Sequence, residues 1–262
     1  MSRNAMRLLL IVAFFLAWEL APRVFDISPL LLPPLSTSIV AGLAVGDVFL
    51  QAFLVTLKES VLAVFIACSS GVVAGMLIGM TRLGSQALIP IASMLYAVPV
   101  IVLYPMFTVW LGIGQESKVA FGAFYGFFPT LLATAAGIST IPFQHRVVGR
   151  SFGATRFQEI IYILLPATVP PVLAGIRLGG ALAIVGVVAA EMLTATEGLG
   201  FQISHFRTMV ETPRVFFSIL LVIVLVIGFE VVMAFVEALS LRWRPAVADP
   251  AAEAEPVQAR LA

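Results

Sequence analysis

The chain of 262 residues is poor in charge and in cysteine. Charged residues make up 11% of it and apolar residues 61%, whereas soluble proteins have about 25% charged residues. This balance excludes a disordered chain and argues against a water-soluble globular domain. The single cysteine, Cys68, excludes an intrachain disulfide and a metal site built on cysteines. The formal net charge of +1 gives no reason to expect nucleic-acid binding.

The chain also lacks convincing enzyme motifs. Its two lysines, Lys58 and Lys118, do not follow a P-loop pattern, and its two histidines, His145 and His205, are isolated. Residues 149–153 match the Gly-x-Ser-x-Gly elbow of serine hydrolases. That elbow requires a strand-to-helix turn in a parallel sheet, whereas membrane-length apolar runs flank it here. The sequence therefore predicts a protein that is not an enzyme and binds neither a cofactor nor a metal.

Long apolar runs are abundant instead. A membrane-spanning helix needs about 20 apolar residues, and the chain has six suitable runs. A proline-rich stretch follows the first run, and within it residues 36–46 are predicted to form a short amphipathic helix with Ser36 as its N-cap. The sequence thus predicts an all-α polytopic membrane protein of about six transmembrane helices. The predicted spans are residues 6–21, 54–80, 87–111, 119–138, 172–194 and 216–239.

The distribution of arginine and lysine predicts the orientation of these spans. Six spans place both termini on one side of the membrane. When that side is the cytoplasm, the inner segments hold more arginine and lysine than the outer ones, as the positive-inside rule requires. The polar loop 142–166 then lies in the cytoplasm too. We expect residues 1–245 to form one membrane domain and the Ala- and Pro-rich residues 246–262 to form a disordered cytoplasmic tail.

The polar loop between the fourth and fifth spans suits a contact with another surface. Residues 150–155 suit a short helix, with Phe152, Phe157 and Ile160 on its apolar side. Gly153 has no side chain and would let a partner approach closely. The loop residues alone leave two alternatives open, a helix that docks into a partner's groove and an amphipathic segment that lies on lipid. Pro166 is expected to end the loop helix.

The spacing within this loop resembles the EAA loop of permease subunits of ABC importers. Nine residues separate Gly153 from the Ile-x-Leu-Pro element at residues 163–166, as in the family. The family's Glu-Ala-Ala positions hold Val147, Val148 and Gly149 instead. Further motifs are similar to the sulfonate/nitrate/taurine branch and extend the resemblance over roughly residues 5–245. They are Arg150–Thr155, Pro166–Pro170, Gly175-Ile176-Arg177, Ala190-Glu191-Met192 and Gly198-Leu199-Gly200.

The resemblance implies a type I ABC importer permease fold in a bacterial inner membrane. It also implies three protein partners: a second permease copy, a cytoplasmic ABC ATPase dimer that holds ATP and Mg, and a periplasmic or lipid-anchored substrate-binding protein. The solute would be an organosulfonate such as taurine, nitrate or a similar compound. The implied ATPase-coupling residues are Arg150, Ser151, Phe152, Gly153, Ala154, Thr155, Ile163, Leu165 and Pro166. The alternatives are a secondary transporter that needs no ATPase and a membrane scaffold that transports nothing.

Ionisable residues within the spans are candidates for the pathway or gate, because a charge in the bilayer is costly. Prolines within the spans are candidates for a different reason, given below. Glu191 either lines the outer gate or holds the following loop by hydrogen bonds. Arg177 lies nearer the cytoplasm and can extend to lipid phosphate. Prolines in the third span free backbone carbonyls, which suits a span that lines a cavity. The candidates are Pro99, Pro105, Arg177, Glu191 and, next to it in the family-like Ala-Glu-Met motif, Met192.

The last span and the second span carry further unusual residues. Glu237 is expected to reach the inner interface near Arg242, whereas Glu230 lies deeper and has no evident partner. Gly71, Gly75 and Gly79 give the second span a face of small residues that permits close helix packing. That face packs either within the chain or against the second copy.

Overall fold

The computed structural model describes residues 3–81, 83–139, 150–158, 161–162, 165–194 and 196–240. All regular secondary structure in these ranges is helical, which confirms the all-α prediction. Shorter helical turns cover Gly84–Leu88, Val100–Leu103 and Arg156–Gln158. Nine longer helices lie in the described ranges: α1 (Arg3–Val24), α2 (Leu35–Leu43), α3 (Gly46–Gly79), α4 (Ile89–Tyr96), α5 (Tyr104–Leu111), α6 (Gln115–Ser139), α7 (Leu165–Thr194), α8 (Leu199–Thr208) and α9 (Thr212–Ser240).

Four helices within the described ranges are long and apolar enough to cross a membrane, namely α3, α6, α7 and α9. A fifth crossing is formed if the pair Gly84–Tyr96 and Val100–Leu111, bent by 76°, counts as one broken span. These five correspond to the second to sixth predicted spans. The first predicted span forms α1, whose crossing of the membrane stays a prediction. The predicted tail 246–262 lies outside the described residues.

The core of the protein is the packing of α3, α6 and α7 against one another. Small side chains line their contact, among them Ala63 of α3, Ala123 of α6 and Ala183 of α7. A Cβ atom added at Gly71, Gly75 or Gly79 would lie only 2.7–2.9 Å from a backbone carbonyl oxygen of α6. The glycine face therefore packs within the chain, as the first of the two alternatives predicted.

Two prolines shape the broken span. Pro99 has an extended backbone with ψ of 93° and precedes the turn Val100–Leu103. Pro105 lies in the first turn of α5, where a missing N–H is tolerated. The bend leaves large apolar side chains of this region uncovered, including Val109 at 81% and Trp110 at 68% exposure. The predicted break is confirmed, but Pro99 causes it, whereas Pro105 begins a helix.

Other predictions about helix ends were wrong. Ser36 is not the N-cap of α2, because that helix begins at Leu35 and Pro34 caps it without a side-chain bond. Instead, Glu19 of α1 accepts hydrogen bonds from the Ser36 N–H and hydroxyl at 2.9 and 2.8 Å. This contact supplies an acceptor to the first turn of α2, whose backbone N–H groups lack helical partners. It also explains a glutamate that lies within a predicted span.

Proline at the start of α7 also behaves differently from the prediction. Pro166 does not stop a helix but lies in the first turn of α7, where its fixed φ suits a helix start. Pro170 and Pro171, expected to precede the fifth span, lie inside it. Gly137 of α6 faces Pro171, and a Cβ atom at Gly137 would overlap the Pro171 ring. The helix continues past Pro171 at a point where the neighbouring helix has no side chain to oppose the proline ring.

We predict that Gly75→Val destabilises the protein by about 1–3 kcal/mol, because the added atoms would collide with the α6 backbone. Gly228→Ala in α9 is the matched control. A Cβ atom there meets nothing within 4 Å, so this change should be neutral or slightly stabilising. Thermal unfolding midpoints of the two purified variants in detergent test this. Equal midpoints would contradict the close contact between α3 and α6.

Candidate functional site

A buried polar cluster joins α3, α7 and α8 at one end of the bundle. Glu191, near the end of α7, is only 1% exposed. Its carboxylate accepts hydrogen bonds from the Thr56 hydroxyl and from the Gly200 N–H, both at 2.8 Å. The Thr56 oxygen in turn accepts the Leu199 N–H at 2.8 Å. Two residues from neighbouring helices thus supply acceptors to the first turn of α8, which lacks them internally.

The backbone of α8 lies directly against the Glu191 carboxyl group. Gly198 has a φ of +102°, a conformation that side chains disfavour, and a Cβ atom there would overlap the carboxylate. At Gly200 a Cβ atom would lie 2.6 Å from the Glu191 Cβ. The glycines of Gly198-Leu199-Gly200 therefore serve the close contact. Of the two predicted roles of Glu191, the structure shows the hydrogen bonds, and its role at a gate stays a prediction.

An ion pair lies next to this cluster. Glu59 of α3 and Lys118 of α6 are 1% and 3% exposed, with Lys118 Nζ and Glu59 Oε1 2.5 Å apart. Glu59 is three residues after Thr56, so the two side chains share one helix face. Within the described part of the chain, Glu59 Oε2 has no hydrogen-bond partner. The cluster therefore buries two carboxyl groups and one ammonium group.

Glu59 and Lys118 were not among the site residues predicted from the sequence. A signal was present, because Glu59 falls within the second predicted span and Lys118 immediately precedes the fourth. Nothing in the sequence, however, showed that their helices are in contact at this height.

The broken span approaches the same end of the bundle. Tyr104, at the start of α5, is 1% exposed, and its hydroxyl lies 2.8 Å from the Thr194 hydroxyl at the end of α7. Both residues line a polar cavity of about 30 Å³ together with Lys118 and Glu197. Such a cavity has room for a water molecule. Lys118 thus pairs with Glu59 and also lines this cavity.

Arg177 belongs to a different part of the molecule. It precedes Glu191 by 14 residues of the same helix, which is about 21 Å. Its Nε donates to Glu230 Oε2 at 2.6 Å, and another guanidinium nitrogen lies 3.4 Å from Glu237. Arg177 thus pairs with two glutamates of α9, and its extension to lipid phosphate stays a prediction. The ion pairs join α7 to α9 and explain Glu230, while Arg242, the expected partner of Glu237, lies outside the described residues.

The remaining pathway candidates are dispersed. Met192 follows Glu191 and is half-buried, and its backbone carbonyl accepts the Ser204 hydroxyl of α8 at 2.9 Å. Pro99 and Pro105 shape the broken span. The structure thus brings Glu191 and Met192 to α8 and Tyr104 of the broken span to the end of α7, but it leaves Arg177 apart. A common pathway for all five stays a prediction.

In the described part of the coupling loop, residues 150–151 are helical, and the helix predicted over residues 150–155 does not extend beyond Ser151. A turn follows in which the Gly153 N–H donates to the Arg150 carbonyl at 2.9 Å. Gly153 then adopts a φ of +78°, which ends that turn. Thr155 and Gln158 start the next turn with reciprocal bonds: the Thr155 N–H donates to the Gln158 side chain at 2.8 Å, and the Gln158 N–H donates to the Thr155 hydroxyl at 3.3 Å.

Gly153 therefore has a conformational role that the sequence analysis did not anticipate. A Cβ atom there would meet nothing within 4 Å among the described residues. The left-handed backbone, rather than a nearby surface of this chain, requires the glycine. Beside it Phe152 is 88% exposed, and Phe157 and Tyr162 are exposed too.

The structure describes only some of the other predicted coupling residues. Ala154 is half-buried, and Leu165 and Pro166 begin α7. Ile163, Ile160 and the Glu-Ala-Ala positions 147–149 lie outside the described residues.

We predict that Thr56→Val destabilises the protein by about 1–3 kcal/mol, because it leaves the Leu199 N–H and one side of Glu191 without a partner in a buried site. Thr56→Ser keeps the hydroxyl and should retain most of the stability. The measurement is the thermal unfolding midpoint of each purified variant. A Val variant as stable as the Ser variant would show that the hydroxyl is not needed to hold α8.

Comparison with known proteins gives consistent results. Residues 71–244 match the family model "Binding-protein-dependent transport system inner membrane component". The chain is 32% identical over 158 residues to the riboflavin transport system permease protein RibX of Chloroflexus aurantiacus, which covers 60% of this chain and 59% of that relative. It is 29% identical over 232 residues to the formylaminopyrimidine transport permease protein ThiX of Halalkalibacterium halodurans, covering 87% and 91%. It is also 29% identical over 211 residues to the taurine transport system permease protein TauC of Escherichia coli, covering 78% and 77%.

The fold is shared with a solved transporter. A chain of the inward-facing methionine ABC transporter MetNI superposes with a TM-score of 0.61 at 18% identity, covering 76% of this chain and 99% of that one. This likeness supports the predicted type I importer fold. The relatives are transport permeases, so the prediction that the chain is not an enzyme is confirmed. The chain belongs to the family of binding-protein-dependent inner-membrane permeases of ABC importers, in the branch that includes the taurine, sulfonate and nitrate permeases.

Proposed function

We propose that this permease passes a small solute, an organosulfonate such as taurine, nitrate or a similar compound, from a periplasmic binding protein into the cytoplasm. In this proposal a separate ATPase dimer, with ATP and Mg, drives the step through the loop 147–166. The coupling proposal rests on the conformation of those loop residues that the structure describes. It offers an almost fully exposed Phe152 on a turn fixed by Gly153 and by the reciprocal Thr155–Gln158 bonds.

An exposed aromatic side chain on an ordered turn supports a docking role. Aromatic anchors contribute strongly to interfaces when a partner's pocket covers them. A turn already fixed by local hydrogen bonds loses less conformational entropy on binding than a flexible one. The loop also leads directly into α7, so a displacement at the loop would act on a 30-residue helix.

The solute class is supported by the relatives and is compatible with the polar cluster. The relatives carry both anionic and uncharged solutes by their names. A free carboxylate along the route would repel a sulfonate or nitrate. Glu59 and Glu191 are both buried and bonded to cationic or N–H and O–H donors, so neither presents an unpaired charge on the surface of this structure.

We also propose that two copies of this chain pair and that both termini lie in the cytoplasm. The exposed apolar side chains of the broken span, such as Val109 and Trp110, are available for lipid or for a second copy. Co-purification of two differently tagged copies tests the pairing. Thiol labelling of single cysteines placed at each terminus, in intact cells and in broken membranes, tests the orientation.

The experiment that tests the function is purification of the tagged protein from its native membrane in mild detergent, followed by mass spectrometry. We expect a P-loop ATPase and a binding protein to be recovered. The complex is then reconstituted in vesicles with that binding protein, and ATP-dependent uptake of taurine, an aliphatic sulfonate and nitrate is measured.

Two results would contradict the proposed ATP-driven transport. Recovery of the permease without an ATPase, while a known ABC complex stays intact under the same conditions, would favour a solitary transporter. An ATPase that binds without any ATP-dependent uptake through the permease would favour a scaffold. ATP-driven uptake of a different solute would contradict only the solute class.

We predict that Gly153→Val reduces recovery of the ATPase by about tenfold, because a β-branched residue is strained at a φ of +78° and the turn that presents Phe152 is lost. Asparagine tolerates this conformation, so Gly153→Asn should retain most of the binding. Both variants should keep the thermal stability of the membrane helices, since the Cβ position faces open space. Equal ATPase recovery with Val and Asn would show that the turn is not what the ATPase binds.

A further inference from the structure

An open apolar groove lies between α3, α7 and α9. Its volume of about 970 Å³ is within the range of pockets that hold organic ligands. The groove exists because α3 and α9 both pack on α7 but make few contacts with each other. It is lined by α3 from Phe53 to Val73, by α7 at Ile176 and Ile184, and by α9 from Val224 to Val232.

The lining of this groove suits a hydrocarbon chain. The Ser69 hydroxyl donates to the Phe65 carbonyl of its own helix at 2.7 Å, so it is not directed at a ligand. The Cys68 thiol likewise donates to the Ile176 carbonyl at 3.7 Å. The groove extends over 20 residues of α3, which is about 30 Å, whereas the hydrocarbon of one leaflet is about 15 Å thick. A lipid acyl chain therefore fits along it.

A cluster of three charges borders one end of the groove. Arg177 follows the lining residue Ile176, and Glu230 follows the lining residue Phe229. Glu237 lies beyond Val232, towards the end of α9. The Cys68–Ile176 contact places Arg177 nearer the Val73 end of the groove than its middle.

These charges keep a capacity for a polar partner from outside the chain. The side chains of Arg177, Glu230 and Glu237 are 46%, 33% and 45% exposed. A guanidinium group has five N–H donors, and the Glu230 oxygen accepts from two of its nitrogens. Among the described residues, Glu237 is held only by the 3.4 Å contact with Arg177. Charges within a membrane span are costly without partners, so an external acceptor and an external cation both have a place here.

We propose that this groove is a binding site for one phosphatidylethanolamine molecule in the leaflet at which α9 ends. One acyl chain lies in the groove, the phosphate accepts hydrogen bonds from Arg177, and the primary ammonium group pairs with Glu237. Phosphatidylcholine has no N–H donor for the carboxylate, and phosphatidylglycerol brings a negative charge without a cation to two glutamates. The combination of charges beside an apolar groove therefore favours the zwitterionic lipid with a primary amine.

The test counts lipids bound to the full-length permease, purified and stripped of lipid in detergent, by native mass spectrometry. Phosphatidylethanolamine, phosphatidylcholine and phosphatidylglycerol with identical acyl chains are added separately at equal concentration. We expect the first site to be occupied at least about threefold more by phosphatidylethanolamine than by either other lipid, as for a partly exposed ion pair. Phosphatidylethanolamine should also raise the thermal unfolding midpoint, because it binds the folded state. Neither an ATPase nor a solute is needed for these measurements.

Two variants separate the headgroup from the acyl chain. Glu237→Gln keeps the Arg177–Glu230 pair and should remove the preference for phosphatidylethanolamine over phosphatidylcholine. Its control is Glu211→Gln, since Glu211 also pairs with an arginine, Arg214, but at the opposite end of α9.

Gly228→Leu tests the groove itself. Gly228 lines the groove, and a Cβ atom there meets nothing within 4 Å, so leucine would occupy the space of the acyl chain without a collision at its Cβ. We expect the occupancy by phosphatidylethanolamine to fall about fivefold or more, as for overpacking of a filled site. The matched control is Gly46→Leu at the start of α3, where a Cβ atom also meets nothing within 4 Å and the groove is not lined. It should bind the lipid as the unmodified protein does.

Four results would overturn the inference. Equal occupancy by the three lipids would show only a non-selective lipid surface. An unchanged preference in Glu237→Gln would show that the headgroup is not recognised at this cluster. Normal lipid occupancy in Gly228→Leu would show that the groove holds no acyl chain. If that variant instead lowers the fraction of paired permease copies at unchanged lipid occupancy, the groove is an interface with a second copy.

Discussion

Close backbone contact between α3, α6 and α7 is the constraint on which the rest of the structure depends. Within a membrane the apolar side chains gain little by leaving lipid, so helices associate through close packing and polar contacts. Glycine and alanine at the contact, such as Gly75, Gly126 and Ala183, allow the helices to approach until backbone carbonyls touch the opposing helix. This approach fixes the heights of Thr56, Lys118 and Glu191 relative to one another.

That fixed height is what makes the polar cluster possible. A backbone N–H or a charge within an apolar environment must find a partner in the protein. Helix α8 is only ten residues long, so a large share of its backbone lies at its ends. Glu191 and Thr56 satisfy its first turn, and the glycines at 198 and 200 let its backbone reach them. Small residues in the core and charged residues at its end are therefore parts of one arrangement.

Much of the fold could be predicted from the sequence, because long apolar runs determine where spans lie. The five spans after the first agree with described helices or with the bent pair. Prolines were harder to interpret, since the same residue can begin a helix, as Pro166 does, or bend one, as Pro99 does. The pairs Glu59–Lys118 and Arg177–Glu230 could not be predicted, because each joins helices whose relative rotation and height depend on packing. Likewise Ser36 has the composition of a cap, but the acceptor comes from Glu19 on another helix.

Helix α7 links the coupling loop to the buried polar cluster around Glu191. It begins at Leu165, directly after the coupling loop, and carries Glu191 near its other end. A 30-residue helix is about 45 Å long, and Gly175, Gly179 and Gly186 place a stretch of about 17 Å within it in close contact with α6. Within that stretch α7 cannot shift without α6, because the two backbones are in contact. Near its end α7 holds α8 in the same way, since Gly200 lies against the Val188 carbonyl and donates its N–H to the Glu191 carboxylate. The close packing of the core therefore extends from α6 through α7 to α8.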